Sequence, residues 1–240
     1  MRRLLNKLFG SELGELIRKE WSYRQLKKSG RFARFDIDKI LEELLPHNNG
    51  FYVELGANDG ALASNSYYFE LKKNWRGVLI EPAPNLFLSC LKRRKEKNHV
   101  FCAACVPYGH SKELVEMRYA DSMTISSGLD LDIGNHDAFL DRGKKFLRDG
   151  EESFKFGAPS ATLNELLLTA NAPSEIDFLS LDVEGAELSV LQGIDFSIYR
   201  FRYIVVESRS IDRLLLYLEP KNYFLVRKIS HHDYLLAFRF

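Results

Sequence analysis

The chain has 240 residues, with 34 Lys and Arg against 33 Asp and Glu, and 45% of its residues are hydrophobic. That length supports one substantial core with a short appendage and excludes two full catalytic domains. A formal net charge of +1 argues against a dedicated nucleic-acid binder, because phosphate contacts require a clear basic excess.

The charge is unevenly placed. Residues 1–34 carry ten Lys/Arg and three acids, a balance of +7, which leaves 24 basic and 30 acidic groups, or −6, in residues 35–240. In this leader Leu4, Leu5, Leu8, Phe9, Leu13, Leu16, Ile17 and Trp21 recur at helical spacing between basic residues, so residues 1–45 are expected to form a basic amphipathic helical segment. Such a helix has two readings: peripheral contact of residues 1–34 with an anionic membrane, or packing on its own domain or on a second subunit of a homo-oligomer. Lys7, Glu12 and Glu15 break the hydrophobic run a secretory signal needs, and no apolar stretch approaches the ~20 residues of a spanning helix. Cys90, Cys102 and Cys105 form no metal-binding pattern and read as small apolar residues of a reducing compartment. The expected location is therefore cytoplasmic.

Residues 46–240 read as one domain in which short β-type runs alternate with amphipathic ones. FYVEL (51–55) predicts a strand, 62–73 a helix, GVLIE (77–81) a strand, 84–97 a helix and 99–106 a buried strand. After a long interval come a helix at 162–170, the strand IDFLSLD (176–182), a helix at 185–191, the strand YIVVES (203–208) and a helix at 211–218. Continuous apolar strands separated by helices imply a parallel sheet covered on both faces. The last runs, YFLVRKI (223–229) and DYLLAFRF (233–240), are only three residues apart and predict an antiparallel hairpin at one edge. The expected fold is α/β, a Rossmann-like, mostly parallel seven-stranded sheet with a C-terminal antiparallel hairpin, which is the outline of the class I S-adenosylmethionine-dependent methyltransferases. The Gly-, Asp- and Ser-rich stretch 119–159 is too long for an ordinary connection, and is expected to be a long loop insertion, either disordered or a lid and substrate loop.

The most informative stretch is Glu54-Leu55-Gly56-Ala57-Asn58-Asp59-Gly60, which follows the first strand and therefore lies at the carboxyl edge where open α/β sheets bind ligands. Its spacing is Glu-x-Gly-x-x-x-Gly. Gly56 is expected to let the backbone approach a ligand and Gly60 to relieve crowding as the helix begins. In the dinucleotide fingerprint a glycine opens the motif and a helix terminus receives pyrophosphate. Here an acid stands first, which repels phosphate and suits a ligand with an ammonium group, so the reading moves from NAD to S-adenosylmethionine. Glu81, 21 residues after Gly60, ends the second strand and is placed to accept hydrogen bonds from both ribose hydroxyls, with Pro82 fixing the turn beside it.

On these residues the chain resembles the FkbM-type methyltransferases. The resemblance rests on VELGANDG (53–60), GVLIEP (77–82), the Thr-Leu-Asn-Glu-Leu segment at 162–166 and above all IDFLSLDVEGAELSVLQG (176–193), where Asp182, Glu184, Gly185 and Glu187 are in place. It covers roughly residues 45–210, is weak in 119–159, and departs at Asn164, where an acid is expected. The resemblance implies methyl transfer from S-adenosylmethionine to oxygen, usually a hydroxyl of a sugar, glycan or polyketide-like acceptor.

An unactivated hydroxyl is a poor nucleophile, so a base or a metal near the methyl group is expected. Asp182, Glu184 and Glu207 should converge on one edge of the sheet. Either Asp182 or Glu184 acts as general base, or the two ligate a divalent cation that holds a sugar diol. In the structural alternative Glu184 caps the helix near Gly185 and Glu207 pairs with Arg202 or Arg209. His136 in the long stretch and His231 and His232 in the hairpin turn are weaker candidates, as are Ser126 and Ser127, and the basic run Lys92 to Lys97 reads as a solvated helix end. A non-catalytic membrane- or partner-binding scaffold is the competing class. It is disfavoured because a scaffold has no physical need for Glu54, Gly56, Gly60, Glu81 and Asp182 together. The −6 balance disfavours an RNA substrate.

Overall fold

The computed structural model describes residues 28–147 and 151–240, together with Ile17, Glu20, Trp21 and residues 23–26. Its centre is a seven-stranded sheet of order β10-β11-β9-β8-β1-β2-β3. The strands are β1 (Phe51–Leu55), β2 (Arg76–Ile80), β3 (His99–Phe101), β8 (Glu175–Leu181), β9 (Arg200–Glu207), β10 (Tyr223–Lys228) and β11 (Asp233–Phe238). The first five of these are parallel, whereas β11 pairs antiparallel with β9 and with β10, so the predicted hairpin stands at one edge.

Alternation along each strand divides the apolar residues between two cores, since successive side chains point to opposite faces. Val53, Val78, Ile80, Leu179, Leu181, Ile204 and Val206 face α5 (Leu163–Thr169), α6 (Glu187–Leu191) and α7 (Ile211–Leu218). Tyr52, Leu79, Phe178 and Val205 face α1 (Ile37–Leu44), α2 (Tyr67–Lys73) and α3 (Pro84–Arg93). Phe32, Ile37, Leu41 and Leu45 are buried in this second core. Residues 32–45, expected in the appendage, are thus built into the domain. Most of the predicted leader helix lies outside the described residues. Where it is described, Tyr23 and Leu26 pack on the same core, and the Tyr23 hydroxyl is 2.8 Å from that of Tyr67.

Two expectations are corrected. The run 99–106 is not one strand: it leaves the main sheet after Phe101 and resumes as β4 (Ala104–Cys105), which joins a second sheet of order β4-β7-β5-β6. The stretch 119–159 is not a structureless loop either. It carries β6 (Ile125–Ser127), α4 (His136–Gly143) and the first half of β7 (Lys155–Ala161), and with β5 (Leu114–Arg118) it builds that second sheet. The short-range pattern was unreadable because these strands are only three to seven residues long and Phe139, Leu140, Ile125 and Ile133 form a small separate core.

Candidate active site

The chain order reverses between β1 and β8, and ligand sites in open α/β sheets form outside the carboxyl ends of strands at such a switch point. A cavity of about 570 Å³ opens there, within the range of small-molecule sites. Its floor is the sheet edge, and its walls come from the 34–37 turn and from the insertion at 121–126 and 145–147.

Of the residues predicted from the glycine-rich motif, Glu54, Gly56, Ala57 and Asn58 line the cavity; Asp59 and Gly60 do not. Gly56 has φ +71°, and a Cβ there would overlap the carbonyl oxygen of Asp182. Its lack of a side chain serves the close approach of two strand ends, whereas Gly60 makes room for Cys90 of α3. Asp59 Oδ1 accepts from the Ala61 and Leu62 N–H groups, each at 2.9 Å, and so shapes the turn.

Glu54 is buried and engaged. Its Oε2 accepts from Arg94 Nη2 at 2.8 Å, from Ser64 Oγ at 2.9 Å and from Ser66 Oγ, and its Oε1 accepts from Asn65 N at 2.8 Å. Arg94 also reaches Glu70 Oε2 at 3.1 Å, and its side chain is fully buried. Burial alone would lower the affinity of this guanidinium for its proton, but Tyr52, Glu54 and Glu70 hold it charged. Arg94 was expected in a solvated basic run. It is instead the central cation of a buried network joining β1, α2 and the 64–66 turn, because the chain ends α3 at Arg93 and turns inward.

Glu81 and Pro82 line the cavity as predicted. The Glu81 carboxylate accepts from Ala83 N at 2.9 Å on one oxygen and from Asn58 N at 2.8 Å on the other. Burial pushes its pKa up to about 7, against the pull of those two N–H groups, and Asp121 adds a smaller upward push.

Asp182, Glu184 and Glu207 all face the same cavity. Asp182 is solvent-exposed where it lines the cavity, yet protein crowds around it beneath that open face. That desolvation, with Glu207 and Glu184 nearby, raises its pKa well above the usual carboxylate range. Glu184, held at φ +52°, is pushed up to about 7 by burial and by Glu207, while Arg209 pulls it down. Arg209 Nη2 lies 3.2 Å from Glu184 and 3.4 Å from Glu207, so one cation serves both. The Glu207 contact to Arg209 matches the structural alternative. The cap at Gly185 belongs instead to Glu187, whose Oε1 accepts from Val183 N at 3.1 Å and Gly185 N at 3.0 Å and whose pKa rises to about 8 through burial. Among the described residues no three His, Cys, Asp or Glu side chains gather to hold a metal ion. The cation beside Glu184 and Glu207 is Arg209.

The insertion fixes Arg209. Asp132 Oδ2 accepts from Arg209 N at 2.9 Å, Ser210 N at 3.1 Å and Ser208 Oγ at 3.1 Å, Asp132 N donates to Gly185 O at 2.9 Å, and the guanidinium lies 4.8 Å from the Phe139 ring centroid. Asp132 was missed in the sequence because it sits in an Asp-rich stretch in which nothing local distinguishes it. Ser126 reaches the cavity; Ser127, His136, His231 and His232 do not. Asn164, the departure from the expected motif, is a buried residue of α5 with its Oδ1 accepting from Asp195 N at 3.4 Å, and it does not line the cavity.

Solved structures of similar outline include an S-adenosylmethionine-dependent methyltransferase from Aquifex aeolicus, at 11% identity and a TM-score of 0.41, covering 89% of this chain and 95% of that one. The precorrin-6y C5,15-methyltransferase of Geobacter metallireducens is 10% identical with a TM-score of 0.42, covering 84% and 87%. Likenesses of this degree say nothing about acceptor or mechanism. No curated protein matches the chain. The family model of the methyltransferase FkbM domain matches residues 54–234, from the acid that opens the glycine motif to the last strand of the hairpin. With three quarters of its length under that match, and with the two acidic strand tips and the Asp182 segment gathered on one cavity, the chain belongs to the FkbM methyltransferase family and is an S-adenosylmethionine-dependent methyltransferase.

Proposed function

We propose that the protein methylates a hydroxyl oxygen of a sugar or glycan, with Asp182 as general base. The observation that carries this reading is the position of Asp182: a carboxylate of raised proton affinity on the cavity floor, beside two carboxylates that share the single cation Arg209. The cofactor supplies an electrophilic methyl group on a sulfonium. This chain's acids suit it: Glu81 is held by two N–H groups with lone pairs left for a ribose diol, and Glu54 Oε1 keeps one lone pair at the cavity wall near the Gly56 turn. With the cofactor bound, it would give up its methyl group to the acceptor oxygen and keep the S–C electron pair, and Asp182 would take the hydroxyl proton. Water exclusion falls to the insertion, whose Met123, Leu129 and Leu147 line the cavity.

Asp182→Asn is expected to lower kcat at least about 100-fold while changing the cofactor KM far less. Steady-state kinetics on a sugar acceptor would measure this, and a variant that kept wild-type kcat would remove Asp182 from the role. We also propose a cytoplasmic protein that meets anionic membranes through residues 1–34. Among the described residues no helix is long and apolar enough to cross a membrane. Vesicles rich in phosphatidylserine should sediment the full chain and release the chain lacking residues 1–34. Equal retention of the two would refute the membrane contact.

A further inference from the structure

Acids outnumber cations seven to three among the residues that line the cavity, yet of the three cations only Arg209 is held in ion pairs among the described residues. Glu54 has Arg94, Glu184 and Glu207 share Arg209, and Glu81 is held by backbone N–H groups. Arg34 and Lys145 also line the cavity, from opposite segments of its wall, and both are exposed. Among the described residues neither forms an ion pair; the Lys145 ammonium has only the Phe146 ring, 4.8 Å from its centroid.

Each cation is followed by a phenylalanine that also lines the cavity, Phe35 at 61% exposure and Phe146 at 36%. Open aromatic surface in a cavity wall is unfavourable in water, and a ligand that covers it recovers that free energy. Backbone strain marks the same place. Phe35 and Asp36 have φ of +53° and +56°, and such conformations cost of order 1–3 kcal/mol each in non-glycine residues and persist at ligand clamps where neighbours enforce them. Here the enforcing group is the buried Asp38, which accepts from Phe32 N at 2.8 Å and Ala33 N at 3.3 Å. Finally Ser126 Oγ, in a residue 4% exposed, lines the cavity and has no hydrogen-bond partner. An orphaned buried hydroxyl is costly unless a ligand completes it.

We propose that the acceptor is an anionic sugar, its phosphate or carboxylate met by Arg34 and Lys145, its ring packed on Phe35 and Phe146, and Ser126 completing the polar contacts of the filled cavity. This names the class of the acceptor assigned above and rests on that reading. The carboxylates of the floor repel such a ligand less than their number suggests, because Arg209 lies against both Glu184 and Glu207, Arg34 itself acts on Glu184, and burial raises the proton affinity of Asp182 and Glu184.

The test uses the full chain and matched acceptors: glucose, glucose 1-phosphate, glucose 6-phosphate and glucuronate, with the mannose and galactose counterparts. Calorimetry in the presence of S-adenosylhomocysteine reads binding, and product mass reads transfer. At least one charged sugar should bind about tenfold or more tightly than its neutral counterpart, with a preference that weakens as salt rises. In Arg34→Ala/Lys145→Ala that preference should fall to about threefold or less, and Arg34→Lys should retain most of it. A phosphate above the uronate identifies an ester, and the reverse a sugar acid. Equal binding of charged and neutral sugars, no binding of any charged sugar, or a preference that survives the double variant overturns the proposal. Should the double variant fail to fold, Arg34→Gln and Lys145→Gln are judged singly by the same ratio. Charge-dependent binding with no methylated product defeats the O-methylation of sugars and with it the acceptor role, leaving only an anion-binding wall at Arg34 and Lys145; methylation of neutral and charged sugars with equal KM overturns this proposal alone and leaves O-methylation in place.

Discussion

At the scale of single residues, position in the chain revealed more than partnership did. Glu81 was legible because an acid at the tip of the second strand has a fixed place relative to the Gly56 turn, and it stands there with both oxygens anchored. Glu54 was legible as an acid beside that turn, but not its engagement with Arg94, forty residues away in a basic run whose burial no local pattern announces. The difference matters for binding. Glu81 holds its proton up to about pH 7, so the charge that accepts ribose hydroxyls is lost as pH falls through that value. Affinity for S-adenosylhomocysteine should therefore drop on going from pH 8 to pH 6, and in Glu81→Gln it should be weaker by about tenfold and flatter over the same interval. Calorimetry across that range decides it, since an unchanged slope in the variant would assign the titration to another group.

At the scale of elements, the regular βα alternation was readable and the insertion was not. Strands buried on both faces show as continuous apolar runs, and β1, β8 and β9 fall where those runs predict. The second sheet owes its existence to pairings between distant short strands, such as Leu114 with Pro159 and Met117 with Phe156, which leave no periodic trace. Among its attachments to the site, the Asp132 side chain makes the most hydrogen bonds to the 208–210 turn. Asp132 takes three hydrogen bonds from the 208–210 turn, and a side chain truncated there leaves Arg209 N–H and the buried Ser208 hydroxyl without that acceptor, while Ser210 N–H keeps only Ser208 Oγ. Asp132→Ala should destabilise the protein by about 1–3 kcal/mol and hasten hydrogen exchange at Arg209 and Ser210 at least tenfold more than in β1. Uniform acceleration over the whole chain would show that Asp132 supports global stability only.

For the whole molecule, the even charge balance conceals a cluster of acids that the fold holds at a disadvantage. Glu81 and Glu184 at about 7 and Glu187 at about 8 all have folded-state pKa values raised above the 4.5 of the free side chain. Between pH 5 and pH 8 the folded state then binds more protons than the unfolded chain, so stability falls as pH rises through that window. The ligand-free protein should lose at least about 3 kcal/mol, roughly 6 °C or more in Tm, over this range, and S-adenosylmethionine, a cation, should recover part of the loss. A Tm that climbs with pH between 5 and 8 would contradict it.

The break in the run 99–106 has a further consequence. The chain departs at Val106, whose N–H donates to Ala161 O at 3.0 Å, and Ala104 and Cys105 lie in register with Ser160 and Ala161, so departure and return are stitched side by side. Everything between is a cassette that enters and leaves side by side: it supplies the cavity wall with Lys145, Phe146 and Ser126, while the floor of Glu81 and Asp182 belongs to the sheet that stays behind. Descendants of this fold can therefore exchange what is recognised without redrawing what reacts, and grafts cut at Val106 and Ala161 are the natural seam along which to transplant acceptor choice.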